Sequence, residues 1–335
     1  MAEAEKLLIA EHIVKNYDMK KKLFDREQKS VKAVDDVSFY INKGETFGVV
    51  GESGCGKTTL GKCVVRLHEP TSGSLMYNVN GEMKDLLKLG REESFDMRKK
   101  IQIVFQDPYS SFNPVHTIYE AFDEPLRIHN MGSREERMEI IADALRTVNL
   151  QPDYMKRYPH EFSGGQRQRI CIAKALAMKP DLIVCDEPVS ALDVSIQASI
   201  LNLLRKLQRE KGISYMFIAH DLSVVQYISQ RIAVMYLGKI VETADAKELH
   251  TMSLHPYTEA LLSSVPIPKY GEKMAQMVLP GDVPSPINPP SGCHFHPRCS
   301  HCMEICKCKE PELRTMKGTT HQIACHLYDN DDRFE

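Results

Sequence analysis

Apolar positions at the start of the chain alternate with polar ones in short runs. Leu7-Leu8-Ile9-Ala10 and the positions on to Tyr17, then Ser30-Val31-Lys32-Ala33-Val34, then Val37-Ser38-Phe39-Tyr40-Ile41, predict antiparallel strands. Residues 19–29 between them are a charged excursion, MKKKLFDREQK, read as a solvated hairpin tip whose basic residues could also touch lipid headgroups. Thr46-Phe47-Gly48-Val49-Val50 reads as a short buried strand, and residues 59–65 as the start of a helix. Residues 71–94 are turn-rich and polar, and residues 100–106 are a buried strand. Residues 107–162 are largely helical in pattern. Within them, Ser133 and Glu136 form an S-x-x-E capping box before an apolar stripe at Ile140, Ile141, Ala144, Leu145 and Val148.

A helix is expected from Gln168 to Met178. Strands follow at Leu182-Ile183-Val184-Cys185 and Tyr215-Met216-Phe217-Ile218-Ala219, flanking a helix with Ile196, Ile200, Leu203, Leu204 and Leu207 on its inner face. Apolar strands alternating with helices predict an α/β fold whose mostly parallel core sheet is covered on both faces. Residues 232–242 read as a hairpin turning near Gly238. Seven prolines between Pro266 and Pro290 mark a linker. The expected organisation is residues 1–265 as one domain, with a helical part at about 107–178, and residues 266–335 as linker and tail.

Between the buried strand at 46–50 and the helix after it lies GESGCGKT, Gly51 to Thr58. It fits G-x-x-x-x-G-K-[ST] at every fixed position. Strand, loop and helix are the setting a phosphate-binding loop requires. Gly51, Gly54 and Gly56 allow several N–H groups to turn inward together at the positive end of a helix. Lys57 offers a point charge to β- and γ-phosphates, and the Thr58 hydroxyl can ligate Mg²⁺.

The charge balance, −2 over 335 residues, gives no general attraction for nucleic acid. No apolar run approaches the ~18 residues that span a bilayer, and the acidic N-terminus is unlike a signal peptide, so a cytosolic chain is expected. Six of the ten cysteines crowd into the last 45 residues, while Cys55, Cys63, Cys171 and Cys185 are scattered like small apolar fillers.

Further short patterns follow the phosphate loop in order. Phe162-Ser163-Gly164-Gly165-Gln166 resembles the LSGGQ signature of ATP-binding cassette (ABC) ATPases, with Phe in place of Leu. Leu182-Ile183-Val184-Cys185-Asp186-Glu187-Pro188 resembles the family's Walker B strand. Gln106 falls where the Q-loop lies, Ser190-Ala191-Leu192-Asp193 where the D-loop lies, and His220 where the switch histidine lies. The resemblance covers about residues 5–265 and implies the ABC ATPase variant of the P-loop fold, with an antiparallel β subdomain and a helical subdomain. It implies that Gly51, Ser53, Gly54, Cys55, Gly56, Lys57, Thr58 and Thr59 bind ATP, with Thr58, Gln106 and Asp186 serving Mg²⁺. Glu187 would orient or deprotonate water, and His220 would contact the γ-phosphate. Ser163, Gly164, Gly165 and Gln166 would meet the ATP of a partner cassette in a head-to-tail dimer. Tyr17 is the expected adenine platform, with Phe24 and Tyr40 as competitors.

The tail narrows the resemblance. Leu254-His255-Pro256-Tyr257-Thr258-Glu259-Ala260-Leu261-Leu262 and Gly292-Cys293-His294-Phe295-His296-Pro297-Arg298-Cys299 look like the end of dipeptide/oligopeptide (and nickel) importer ATPases, in particular the second ATPase of the pair. This implies a second ATPase subunit, two membrane permease subunits and, indirectly, an extracytoplasmic solute-binding protein, at the cytoplasmic face of the membrane. Peptides are the expected substrate; nickel or another small solute, or a soluble ABC-type ATPase acting on nucleic acid or ribosomes, are the alternatives. Cys293, Cys299, Cys306 and Cys325 occupy positions that the family uses for a [4Fe–4S] cluster. Zinc and unliganded thiols stay open beside it, and His294, His296, His301 and His326 leave room for mixed ligation. The tail is read as a small Cys-rich domain.

Overall fold

The computed structural model describes residues 5–19, 30–264 and 279–335. Phe24, nearly all of the expected hairpin tip, and Pro266 and Pro268 of the linker lie outside the described residues. Strands β1 (Lys6–Asp18), β2 (Ser30–Asn42) and β3 (Thr46–Val50) lead into helix α1 (Lys57–Val64). Then come β4 (Ser72–Val79), β5 (Glu82–Asp85), α2 (Arg91–Lys100) and β6 (Ile101–Val104). Helices α3 (Ile118–Ile128), α4 (Arg134–Thr147) and α5 (Gly164–Ala177) follow. β7 (Leu182–Asp186), α6 (Val194–Lys211), β8 (Ser214–Ala219) and α7 (Leu222–Ile228) alternate. The chain continues through β9 (Arg231–Tyr236), β10 (Lys239–Asp245), α8 (Ala246–Thr251) and α9 (Pro256–Ser263) to α10 (Glu304–Cys308), β11 (Arg314–Thr315) and β12 (Gln322–Ile323). These elements fall into two compact units. One comprises residues up to 42, 46–87 and 217–335; the other comprises 43–45 and 88–216.

In the first unit, one antiparallel sheet has the order β2-β1-β4-β5. The two strands expected at 30–34 and 37–41 are a single long strand, β2. Asp36 takes a left-handed conformation (φ 56) inside it, and the register against β1 shifts at several points. Residues 71–94, expected to be turns, form β4, β5 and the first turn of α2. Leu75 and Tyr77 of β4 are buried, and pairing with β1 supplies the order that their polar neighbours hide. A second set of strands runs β11-β12-β10-β9-β3. β3 and β9 are parallel, and every residue of both is buried, as a strand covered on two faces requires. β9 and β10 form the expected hairpin. Leu237 (φ 42) and Gly238 (φ 85) at its tip both have the positive φ that suits a tight turn between twisted strands. The Cys-rich tail extends this sheet, because β12 pairs with β10 and β11 with β12. The tail's share of the buried apolar cluster there is small: Ile323 and Phe334, packed with Leu254, which precedes α9 and the tail.

In the second unit β6 and β7 are parallel, with Ile101 opposite Leu182. Residues 107–117 are turns, and helix begins at α3. Thr117 with Glu120, and Ser133 with Glu136, cap α3 and α4 reciprocally, each serine or threonine oxygen taking an otherwise unpaired N–H. α4 buries Ile141, Ala142, Ala144 and Leu145. α6 starts on an Asp193 cap, ends at left-handed Gly212 and buries Ile200, Leu201, Leu203, Leu204 and Leu207.

Candidate functional site

The phosphate loop leaves fully buried β3 and enters α1 through Gly56, whose φ of 106 opens the helix. A Cβ there would lie 2.0 Å from the carbonyl oxygen of Ala33, so both the backbone angle and the space demand glycine. Lys57 is buried, and its ammonium donates to the carbonyl oxygens of Gly51 (2.8 Å) and Glu52 (2.9 Å). The charge is thus held over the curl of the loop. Ser53 and Gly54 are exposed at the tip, Thr58 and Thr59 half-buried on the first turn of α1, and Cys55 is packed inside. Burial raises the Cys55 thiol pKa, so it is an apolar filler of the loop rather than a thiolate. A curled loop at a helix start, gated by one lysine and closed on its inner side by backbone, fits a polyphosphate.

Tyr17 stands at the end of β1 with its hydroxyl bonded to the Thr59 side chain; burial raises its pKa against that bond. Its ring meets His68 edge-on at 5.7 Å. Tyr40, the competitor for adenine, carries the Arg231 guanidinium 3.8 Å from its ring centre. One face of Tyr40 is therefore already used. His220 follows β8 and is exposed, and Asp221 beside it caps α7.

In the second unit the structure brings Gln106 and Glu187 together. The Gln106 amide donates to Glu187 Oε2 at 3.0 Å across 81 residues of sequence. Asp186 is buried at the end of β7. Glu187 has φ 46 and precedes a proline, a strained backbone for a side-chain-bearing residue. The Ser190 N–H and hydroxyl both donate to its carbonyl, at 3.3 and 3.1 Å, and hold the kink. The sharp turn thus sets two adjacent acidic residues at the strand end.

Helix α5 begins at Gly164, four residues earlier than the expected Gln168, because Ser163 and Gln166 form a reciprocal cap. The same hydroxyl and amide that resemble a signature motif therefore fix the helix start. A Cβ on Gly165 would lie 2.7 Å from Ile196 Cγ2, so α5 and α6 approach as closely as they do only with glycine there. Arg167, one turn on, is buried, donates to the Phe162 carbonyl at 2.5 Å and stacks 3.4 Å from the Tyr109 ring centre.

Cys293, Cys299, Cys306 and Cys325 all lie in the first unit. Burial pushes the Cys293 thiol up to about 11 and Cys325 up to about 12. The other three thiols of the set add to the rise at Cys325, and Cys299 and Cys306 add to it at Cys293, so the four lie within electrostatic reach of one another. The Cys293 N–H donates to the Cys306 carbonyl at 2.9 Å. Among the described residues, no three His, Cys, Asp or Glu side chains are gathered as ligands of a single metal ion. His326 is engaged at both ring nitrogens, by Asp329 (2.7 Å) and the Lys309 carbonyl (2.9 Å).

Two ion pairs, one half-buried and one fully buried, carried no sequence signal. Arg298 grips Glu52 of the phosphate loop with both terminal nitrogens, and His321 pairs with Glu242 where neither is exposed. Both link residues far apart in the chain, and no local pattern announces either.

Residues 34–190 match the family model described as ABC transporter, and residues 241–306 match that of the oligopeptide/dipeptide transporter C-terminal region. The oligopeptide transport ATP-binding protein AppF of Bacillus subtilis is 50% identical over 330 residues, covering 98% of this chain and 99% of that protein. The putative oligopeptide transport ATP-binding protein YkfD of the same organism is 50% identical over 312 residues, covering 92% and 93%. Among solved structures, the dimeric post-hydrolysis state of the ATP-binding cassette MJ0796 bound to ADP and Pi aligns with a TM-score of 0.61 at 29% identity, covering 72% of this chain and 99% of that one. The chain is an ABC-family ATPase with the α/β cassette fold. Within that class it belongs to the ATP-binding proteins of the oligopeptide/dipeptide transporters. No described helix is long and apolar enough to cross a membrane.

Proposed function

We propose that this chain hydrolyses ATP to power import of dipeptides or oligopeptides. It works at the cytoplasmic face, paired with a second ATPase beneath two membrane subunits that an extracytoplasmic binding protein feeds. The observation that carries the enzymatic part is the Glu187 carboxylate, held by Gln106 on a strained strand end behind buried Asp186. The peptide part is supported by the tail region and by the names of the relatives.

Residues 1–265 carry the nucleotide chemistry, with 107–178 as its helical part, and 266–335 form the linker and tail. Bound Mg²⁺-ATP supplies the γ-phosphoryl group and the metal charge that eases its transfer. Lys57 and the N–H groups from Gly51 to Thr59 bind the phosphates, Tyr17 stacks on the base, and Thr58, Gln106 and Asp186 serve the metal. Glu187 orients and deprotonates water, and His220 positions the γ-phosphate end. Ser163, Gly164, Gly165 and Gln166 reach the nucleotide held by the partner ATPase. Reconstitution with the membrane subunits tests this: a tripeptide should be taken up at the expense of ATP. If Glu187→Gln turned over ATP at a near-normal rate, Glu187 would lose its role; if no peptide stimulated hydrolysis, the substrate class would be wrong.

Cys293, Cys299, Cys306 and Cys325 are assigned to a [4Fe–4S] cluster, with Zn²⁺ as the rival. What supports this is that the four positions are those the family uses where a cluster is present, and that the thiols lie within electrostatic reach of one another. A cluster would stiffen a tail whose share of the buried apolar cluster is small. Anaerobic protein should contain iron and sulfide and absorb at about 400 nm; colourless protein with stoichiometric zinc would refute the cluster.

A further inference from the structure

An acidic residue is an odd occupant of a loop that receives polyphosphate. Glu52 sits second in GESGCGKT, and an uncompensated carboxylate there would repel the ligand. The structure supplies a counterion from 246 residues downstream: Arg298 Nη1 lies 2.6 Å from Glu52 Oε2, and Nη2 3.1 Å from Oε1. This is the parallel, two-bond geometry that only arginine gives. The Arg298 side chain is 7% exposed and that of Glu52 27%, so water screens the pair only in part. It is itself braced: its Nε donates to the Pro280 carbonyl at 3.4 Å, and its N–H to the Phe295 carbonyl at 3.0 Å.

Glu52 is fastened at two more atoms. Its N–H donates to the Tyr257 hydroxyl at 2.8 Å, and its carbonyl accepts from Lys57 at 2.9 Å. Tyr257 is fully buried, with ring centres 4.8 Å from Tyr236 and 5.4 Å from Phe295. Arg298 comes from the Cys-rich turn and Tyr257 from α9, so two residues of the C-terminal third converge on one loop residue, with Phe295 packed against Tyr257 behind them.

We propose that Arg298 is a positioning residue for nucleotide: it neutralises and orients Glu52, and with the Tyr257 hydroxyl holds the phosphate loop in its binding shape. The C-terminal region thereby sets the chain's affinity for Mg²⁺-ATP. The proposal rests on the nucleotide reading of the loop.

A double-mutant cycle tests it. KM and kcat for ATP are measured in the assembled transporter, and Mg²⁺-ATP binding by equilibrium dialysis on the full-length chain. Arg298→Met should weaken ATP binding and raise KM by about tenfold, with a smaller fall in kcat, because a charge left beside the phosphates acts mainly on binding. Arg298→Lys, which keeps the charge and loses the fork, should recover part of the loss. In a Glu52→Gln background the effect of Arg298→Met should shrink to less than about twofold, since no carboxylate remains to neutralise. A purely structural role for Arg298 predicts the same penalty in both backgrounds, and that result overturns the proposal, as does an unchanged KM for Arg298→Met. Should Arg298→Met not fold, the double variant decides: recovery of folding and binding upholds the proposal, and failure of both overturns it. Wild-type ATP affinity in Lys57→Ala would instead remove the nucleotide reading beneath it.

Discussion

Replacing His321 by leucine removes the counter-charge of a carboxylate that has no water to fall back on. Glu242 and His321 are both 0% exposed. Their Nε2–Oε1 separation is 2.8 Å, and Glu248 Oε1 lies 3.3 Å from the other ring nitrogen. Losing one partner of a buried ion pair costs about 3–5 kcal/mol. Here the Leu254 and His255 N–H groups still donate to Glu242, at 2.8 and 3.1 Å, which places the expected loss near the lower end, about 3 kcal/mol. At roughly 2–4 °C per kcal/mol, the first transition should fall by roughly 6–12 °C.

The pH dependence is a sharper check. Burial disfavours the charged His321 ring, but the bond to Glu242 and the fields of Glu242 and Glu248 outweigh it, and the pKa is raised. The folded chain therefore holds a proton that the unfolded chain releases near the ordinary histidine value. The stabilisation is complete below about pH 6.5 and is lost as pH rises through the folded value. The gap between wild type and His321→Leu should accordingly narrow on going from pH 6 to pH 9. Neighbouring His255 works in the opposite sense. Burial, against the pull of Glu242, drives its pKa down to about 4, so its ring enters the fold neutral. Its share of stability wanes as pH falls from about 6.5 towards 4, by about 3 kcal/mol in the limit, and His321→Leu should keep that acid-side decline. Melting of the full-length chain across pH, with hydrogen exchange over β11 and β12, reads both effects. A loss under about 1 kcal/mol, or a gap that widens with rising pH, would refute the reasoning.

Three further outcomes are expected. Glu187→Gln should slow ATP turnover by ~10²–10⁴ while still binding ATP, checked by single-turnover kinetics beside equilibrium binding. Gly56→Ala forces a Cβ to within 2.0 Å of a backbone oxygen at φ 106 and should weaken ATP binding at least as much as Lys57→Ala does, measured by equilibrium dialysis. Gly165→Ala meets Ile196 Cγ2 at 2.7 Å and should destabilise the second unit by about 1–3 kcal/mol, with most of the loss recovered in Gly165→Ala/Ile196→Ala on denaturant titration.

Much of the cassette was written in short stretches of chain. The phosphate loop needs only spaced glycines, a lysine and a threonine between a buried strand and a helix, and the cap at Ser133 acts over three residues. Such features depend on neighbours at fixed short spacing, so reading along the chain recovers them. β4 and β5 were missed because SGSLMYNV has too weak an alternation to stand alone, and β1 lends it order through pairing. The extra four residues of α5 were missed because two glycines argue against helix until the Ser163–Gln166 cap and close packing on Ile196 override them.

The sequence alone determined the family, the order of the motifs and the residue types available for phosphate and metal. Only the tertiary structure decided that Gln106 reaches Glu187, that Arg298 secures the phosphate loop, and that His321 serves as the buried counter-charge of Glu242. The reason is one of range. A cap or a loop is favoured by energies acting within one turn of chain, whereas a pair 79 or 246 residues apart forms only after burial of the core has brought its partners together.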